Sequence, residues 1–325
     1  MLCIDNIRRD PYFNLALEEY VLKNFTENIF MLWINNPAII VGKNQNTLAE
    51  INADYIKEHN IPVVRRLSGG GAVFHDPGNI NFTFIMPNTG DSFTNFKIYT
   101  KPIIDILAKL GIDAKLSGRN DLTINDQKFS GNAQYIYKNR ILHHGTLLFS
   151  SDMSHLANAL KVDTKKIESK GIKSIRSRVT NIESHLKENI NIESFKDMIM
   201  NHVKEGYGGV GYTLTTEDII QVEKMAKERY STWEWNYGYS PQYNFSKERR
   251  FFGGNIETHL NVQNGLIQDC KIYGDFFSEK DISDIEKALV GNKHSELHVL
   301  DVLSQFDIDK YFANISLEDV LSVFY

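Results

Sequence analysis

The chain has 325 residues, a length that suits one large domain and one small one. Hydrophobic residues make up 42% and aromatics 11%, which excludes a disordered or low-complexity protein. The formal net charge of -5 argues against a surface devoted to nucleic acid, and two distant cysteines, Cys3 and Cys270, indicate neither a disulfide scaffold nor a zinc cluster.

The N-terminal residues carry no basic region followed by an apolar core, and no run approaches the roughly 18 apolar residues of a membrane span. The expectation is a cytoplasmic protein with no membrane segment. Asp10-Pro11 reads as a helix cap followed by proline at the first helical position, with Phe13, Leu17, Tyr20 and Val21 on one face. Apolar runs at 29–34 and 39–41 read as strands, a short helix follows near 50–59, and another strand is expected at 63–66. Beyond Ser68-Gly69-Gly70-Gly71, strands at 72–75 and 80–86 read as a hairpin turned at Asp76-Pro77-Gly78-Asn79, with Ile80, Phe82, Phe84 and Met86 on its buried side.

Ile103, Ile106, Leu107 and Leu110 mark a helix that Gly111 should end in the left-handed conformation. Turns at Asn125-Asp126 and Lys138-Asn139 divide residues 113–150 into an antiparallel meander. Residues 161–178 are strongly basic, helices are expected near 193–204 and 218–230, and 256–273 reads as a hairpin turned at Asn264-Gly265, followed by two or three short helices. Antiparallel hairpins mixed with surface helices give an α+β fold with a mixed, largely antiparallel sheet, and the Tyr-, Trp- and Pro-rich stretch around 231–246 suggests a boundary between residues 1–240 and 246–325.

Chemistry concentrates in a few places. In Arg65-Arg66-Leu67-Ser68-Gly69-Gly70-Gly71, glycines allow backbone N–H groups to crowd an anion and arginines add fixed charge, yet no Gly-Lys-Ser/Thr follows and the next element is a strand. Spacing alone leaves open a flexible turn beside surface arginines. Asp121, at the start of a strand, is either an exposed turn carboxylate or a ligand for nucleotide-bound magnesium. Lys128, just past a hairpin turn, read alone is an ordinary solvated lysine. His143 and His144 point to opposite faces of a strand, so at most one lines a given pocket. No nucleophile elbow and no Cys/His signature is present, which favours catalysis without a covalent enzyme intermediate.

Taken together, Arg65-Arg66-x-Ser68-Gly69-Gly70-Gly71-Ala72-Val73-Phe74-His75-Asp76, Ser117-Gly118-Arg119-Asn120-Asp121-Leu122, Lys128-x-Ser130-Gly131, His143-His144-Gly145-Thr146-Leu147 and the block from Lys170 to Asn181 resemble, in order and spacing, the lipoate-protein ligase A family. Phe13-Asn14-Leu15-Ala16-x-Glu18-Glu19 and Trp233-Glu234-Trp235-Asn236 extend the resemblance over nearly the whole chain, thinning after about Phe252.

The resemblance implies a catalytic domain related to biotin ligases and class II aminoacyl-tRNA synthetases, with a small α+β C-terminal accessory domain. It implies two steps: lipoate and ATP, with Mg2+, give lipoyl-AMP, and a lysine of an apo lipoyl domain then takes the lipoyl group. It places Lys128 as the catalytic cation. It places Arg66, Gly71, Ala72, Val73, Phe74 and Lys128 on the ATP, and residues 170–181, with Arg176 and Arg178, on the loop that closes over the adenylate; Asn120 and Asp121 are expected beside the nucleotide, with Asp121 the candidate ligand of its metal ion. Glu18, Ser68, Gly69, Gly70 and His144 fall near lipoate. Ile80, Phe82 and Phe84 offer a wall for the lipoyl chain or a core face with equal claim.

Two departures stand out: Leu67 replaces a residue often polar in relatives, and Tyr135 stands where some carry arginine. The acceptors implied are the E2 subunits of 2-oxoacid dehydrogenases and the glycine cleavage H protein, served by a monomer that binds neither nucleic acid nor membrane. The rival readings are a lipoyltransferase using preformed lipoyl-AMP or a carrier-bound acyl group, and a non-catalytic lipoate-binding protein.

Overall fold

The computed structural model describes residues 1–45, 47–90, 95–152, 158–160, 179–237, 245–263 and 266–324. The basic segment 161–178, with Arg176 and Arg178, and the expected turn Asn264-Gly265 lie outside the described residues. None of the described helices is long and apolar enough to cross a membrane.

The fold is α+β. β1 (Leu2–Asp5) leads into α1 (Pro11–Asn24), whose start is fixed as the sequence suggests: the Asp10 side chain accepts from the Tyr12 N–H and Pro11 occupies the first turn. Strands β2 (Ile29–Ile34), β3 (Ala38–Val41), β4 (Val63–Arg65), β5 (Val73–His75) and β6 (Asn79–Pro87) follow. After α2 (Phe96–Lys109) comes the meander β7 (Ala114–Ser117), β8 (Asp121–Ile124), β9 (Gln127–Tyr137) and β10 (Arg140–Leu148). Its turns are made by Asn125 and Asp126 at φ 50 and 62 and by Lys138 at φ 53, and Gly111 adopts φ 80 after α2, as expected. Helix α3 (Ile192–Tyr207), strand β11 (Val210–Gly211) and helix α4 (Thr216–Met225) follow, and short helical turns at Ala226–Tyr230 and Trp233–Asn236 come after them.

The large sheet runs β11-β1-β2-β6-β10-β9-β8-β7, with β1 parallel to both its neighbours and the remaining pairs antiparallel. One face buries Phe30, Phe82, Phe84 and Leu107 with Phe195 and Ile199 of α3. The other packs Met31 and Trp33 on α1 residues Phe13, Leu17 and Val21, with Val222 and Tyr230 behind them. A second, small sheet, β4-β3-β5, lies beside this layer with its own cluster of Ile39, Val41, Val63 and Phe74.

The expected hairpin of the strands at 72–75 and 80–86 does not form. β5 pairs with β3 in the small sheet, whereas β6 pairs with β2 and β10 in the large one. Asp76-Pro77-Gly78 therefore carries the chain between sheets. Nor is β6 half-buried: as a central strand it is covered on both faces from Asn79 to Ile85.

The C-terminal part, β12 (Phe245–Phe251), β13 (Gly254–Gln263) and β14 (Leu266–Gly274), is an antiparallel meander whose core joins Ile256, Leu260 and Ile272 to Ile285, Leu303, Phe312 and Val323. It docks beside the glycine segment: the Gly274 N–H donates to the Asn44 carbonyl, Lys43 Nζ lies 3.3 Å from Asp281, and the Phe277 and Phe96 rings meet at 5.6 Å.

Candidate active site

A pocket of about 290 Å3 opens where the central strands of the large sheet, the glycine segment and the C-terminal part meet. Leu15, Trp33, Ile40 and Ala133 give it an apolar end, while Asn120, Asp121, Lys128, Arg119, Arg250 and Asp275 give it a charged one. Such a split lining suits a ligand with a greasy tail and an anionic head.

The glycine segment is shaped from inside by Arg66. Its guanidinium donates to Ser68 Oγ at 3.1 Å and to the carbonyls of Ile40 at 3.1 Å, Gly69 at 2.7 Å and Gly71 at 2.8 Å. Gly70 sits at φ +92, where other residues are strained, and a side chain on Gly69 would collide with the carbonyl oxygen of Phe276. Burial pushes Arg66 down to about 10, still a cation at neutral pH. Arg65 points elsewhere. It binds the carbonyls of Gly42, Lys43, Gln45, Trp235 and Asn236 and so serves the scaffold.

Beneath the pocket runs a buried polar chain. His144 Nδ1 lies 3.0 Å from both Glu18 carboxylate oxygens, and its Nε2 lies 2.6 Å from Ser68 Oγ. A carboxylate only accepts, so Nδ1 carries the proton and the Ser68 hydroxyl donates to Nε2. Glu18 also accepts from Thr83 Oγ at 2.6 Å, which accepts from Trp33 Nε1 at 3.0 Å. Serine, histidine and carboxylate thus stand in the order of a hydrolase triad. Ser68 is nevertheless fully buried and does not line the pocket, so the chain orients His144 and Trp33 and offers no reachable nucleophile. The thiols do not supply one either: Cys3 and Cys270 are buried away from the pocket, and burial pushes both thiols up.

Lys128 reaches the pocket because of a β-bulge. The β8–β9 register passes from Leu122↔Ser130 to Thr123↔Lys128, which leaves Phe129 as the extra residue. Phe129 drops fully into the core. Lys128 extends across Gly131, where a Cβ would lie 3.1 Å from its Nζ, and ends 2.8 Å from Asp121 Oδ1. The main chain of Lys128 is held by a residue that follows the basic segment, since its carbonyl accepts from the Thr180 N–H at 2.9 Å.

Of the residues singled out in the sequence, Arg66, Gly70, Gly71, Ala72, Val73, Asn120, Asp121, Lys128 and His144 line this one pocket. Glu18, Ser68 and Gly69 stand behind it. Phe74 turns its side chain away into the small-sheet core, because alternation along β5 sends Val73 and His75 one way and Phe74 the other. Ile80, Phe82 and Phe84 are core and not a wall of the pocket; the apolar wall comes from Leu15, Trp33 and Ile40. Leu67 packs in the core beside α1, and Tyr135 lies under Lys43 at 5.5 Å, outside the lining.

His143 stacks on Tyr99 at 4.7 Å on the opposite face from His144. Sequence reading missed Trp33, Asn81, Asn132, Arg250 and Asp275, and it quoted Arg119 and His75 only inside longer blocks, without a role. The His75 Nδ1 side is taken by Asn35 at 3.0 Å, its Nε2 is buried with no partner, and burial pushes its pKa down to about 3, so it enters the lining as a neutral ring.

The chain is similar to known proteins along most of its length. Residues 10–204 match the lipoyl protein ligase A/B catalytic domain, and residues 240–324 match the bacterial lipoate protein ligase C-terminus. The chain is 49% identical to lipoate-protein ligase LplJ of Bacillus subtilis (strain 168), over 100% of both chains. Among solved structures it resembles P. falciparum LipL1 in complex with lipoate, at 30% identity and TM-score 0.81, covering 99% of this chain and 97% of that one. It also resembles the bipartite lipoate protein ligase of Thermoplasma acidophilum, solved in a study that includes its E2 lipoyl domain, at 26% identity and TM-score 0.66, covering 75% of this chain and 98% of that one. The chain belongs to the lipoate-protein ligase family.

Proposed function

We infer that the protein is an ATP-dependent lipoate-protein ligase, which activates lipoate as lipoyl-AMP and passes the lipoyl group to a lysine of a lipoyl domain. One observation carries this reading: a single pocket joins the apolar Leu15, Trp33 and Ile40 to the cation of Lys128. The lipoyl chain would occupy the former and the nucleotide the latter, with Arg66 holding the glycine segment between them.

In the first step a lipoate carboxylate oxygen attacks the α-phosphorus, the bond to the β-phosphate breaks, and pyrophosphate leaves with the electron pair. Negative charge grows on phosphate oxygens, so a fixed ammonium such as Lys128 stabilises the transition state. In the second step the acceptor amine attacks the lipoyl carbonyl, AMP departs with the bonding electrons, and the amine loses a proton. Lys128 then polarises the mixed anhydride and never carries the acyl group.

Asp121 would hold a magnesium ion, which supplies neutralisation of the triphosphate charge. Among the described residues no group of three or more His, Cys, Asp or Glu is arranged to bind a metal. One carboxylate suits an ion held mainly by phosphate oxygens and water. Arg176 and Arg178, outside the described residues, would join the adenylate. We assign residues 1–240 to catalysis and 246–325 to an accessory domain. The acceptors would be the lipoyl domains of 2-oxoacid dehydrogenase E2 subunits and the glycine cleavage H protein, and the free buried thiols suit the reducing cytoplasm.

Lipoate-dependent release of pyrophosphate from ATP tests this reading. A transferase fed with preformed lipoyl-AMP, or a protein that merely binds lipoate, releases none.

A further inference from the structure

The cations around the pocket fall into two kinds. Arg66 is fully engaged with the glycine segment, as described. Arg119 is engaged with the C-terminal part: it donates to the carbonyls of Gly253 and Asp275 and lies over the Phe277 ring at 4.5 Å. Lys128 and Arg250 are different. Each is paired with a carboxylate, Lys128 with Asp121 at 2.8 Å and Arg250 with Asp275 at 3.0 Å, and their side chains are 40% and 56% exposed. A half-exposed ion pair contributes little stability, so a phosphate can replace the carboxylate at small cost.

Strand order arranges these groups along the site. One wall of the site rests on β2, β6 and β10, through Trp33, Asn81 and His144; Lys128 and Asp121 follow on β9 and β8; Arg119 comes in the turn that leads into β8. Arg119 in turn grips the β12–β13 turn at Gly253 and the end of β14 at Asp275, and so fixes the strand that carries Arg250. A nucleotide whose α-phosphate lies at Lys128, next to the lipoyl carboxylate, must extend its remaining phosphates toward one flank or the other. The flank at Arg119 presents a guanidinium with an exchangeable partner.

We propose that Arg250, supplied by the C-terminal part, binds the β- and γ-phosphates of ATP and takes up the charge of the departing pyrophosphate. Asp275 holds the guanidinium in place until the nucleotide arrives. This role rests on the ligase reaction proposed above and adds a substrate-binding residue to it. As the bond from the α-phosphorus to the bridging oxygen breaks, the electron pair moves onto pyrophosphate, to which a planar fork of N–H groups can donate two hydrogen bonds at once. Once pyrophosphate has left, Arg250 has no further task, so the transfer step does not depend on it.

The test separates the half-reactions in the full-length protein. For Arg250→Ala, kcat/KM for ATP in lipoate-dependent pyrophosphate release should fall about 10- to 100-fold, as loss of a hydrogen bond to a charged group implies. Inhibition by added pyrophosphate should weaken in parallel, Arg250→Lys should recover part of the loss, and transfer from synthetic lipoyl-AMP to an apo lipoyl domain should proceed at the wild-type rate. Unchanged ATP kinetics in Arg250→Ala overturns the proposal. So does an equal fall in both half-reactions, which would make Arg250 a packing residue. Absence of pyrophosphate release from the wild type is a separate result and counts against the ligase reading itself.

Discussion

Lys128 Nζ stands 2.8 Å from Asp121 Oδ1, and both side chains remain more than a third exposed to the pocket. The two residues reach each other across adjacent strands only because the bulge at Phe129 resets the register. In the proposed reaction the ammonium would exchange this one carboxylate for a phosphate, and the carboxylate would be left for the magnesium ion.

Replacing Asp121 with Asn keeps the size of the side chain and removes its charge. The expected effect is a rise of about tenfold or more in the magnesium concentration for half-maximal pyrophosphate release, with the KM for lipoate unchanged. A magnesium titration that superimposes on the wild type removes Asp121 from the metal site.

Ser68→Ala distinguishes an orienting serine from a nucleophile. The variant leaves His144 Nε2 without its donor and Arg66 Nε without its acceptor, so a stability loss of about 1 to 3 kcal/mol is expected in urea unfolding. Because the acyl group never resides on Ser68, kcat should stay within about tenfold of wild type. A loss of several thousandfold, or an acylated Ser68 in the wild type, contradicts the assignment.

Acid should destabilise the protein in a defined window. Burial pushes His75 down to about 3 from the ordinary 6.5, and it also pushes His143 well down. The folded value lies below the unfolded one, so the unfolded chain binds the extra proton; stability is full above about 6.5 and is lost as pH falls toward 3. Between pH 6.5 and 5.5 the wild type should lose about 1 kcal/mol more than His75→Gln, measured by urea unfolding at each pH. Equal losses would mean that His75 is not a buried neutral ring.

Much of this arrangement was legible in the sequence where local rules govern it. Asn125-Asp126, Lys138-Asn139 and Gly111 announce their turns through backbone preference, and alternation correctly sends His143 and His144 to opposite faces. Pairing partners were not legible. A period of two shows that Ile80, Phe82 and Phe84 share a face, but not that Thr83 and Ile85 are buried as well or that β5 and β6 belong to different sheets.

β12 escaped notice because Lys247-Glu248-Arg249-Arg250 is an exposed edge strand with no apolar face to announce it. Arg119, Arg250 and Asp275 meet only once the C-terminal part has docked on the glycine segment. No local spacing encodes that meeting. The partnerless Nε2 of His75 likewise becomes visible only in three dimensions.

In the proposed function Lys128 is the cation of an ATP-dependent ligation at this pocket. The most direct test of this role is the intact mass of an apo lipoyl domain after incubation with ATP, magnesium, lipoate and either wild-type protein or Lys128→Ala. The wild type should add one lipoyl group only when ATP is present. The folded variant should be slower by roughly a hundred- to a thousandfold, the usual loss of about 3 to 4 kcal/mol for one such donor. Near-normal modification by Lys128→Ala, or modification by the wild type without ATP, would contradict this role.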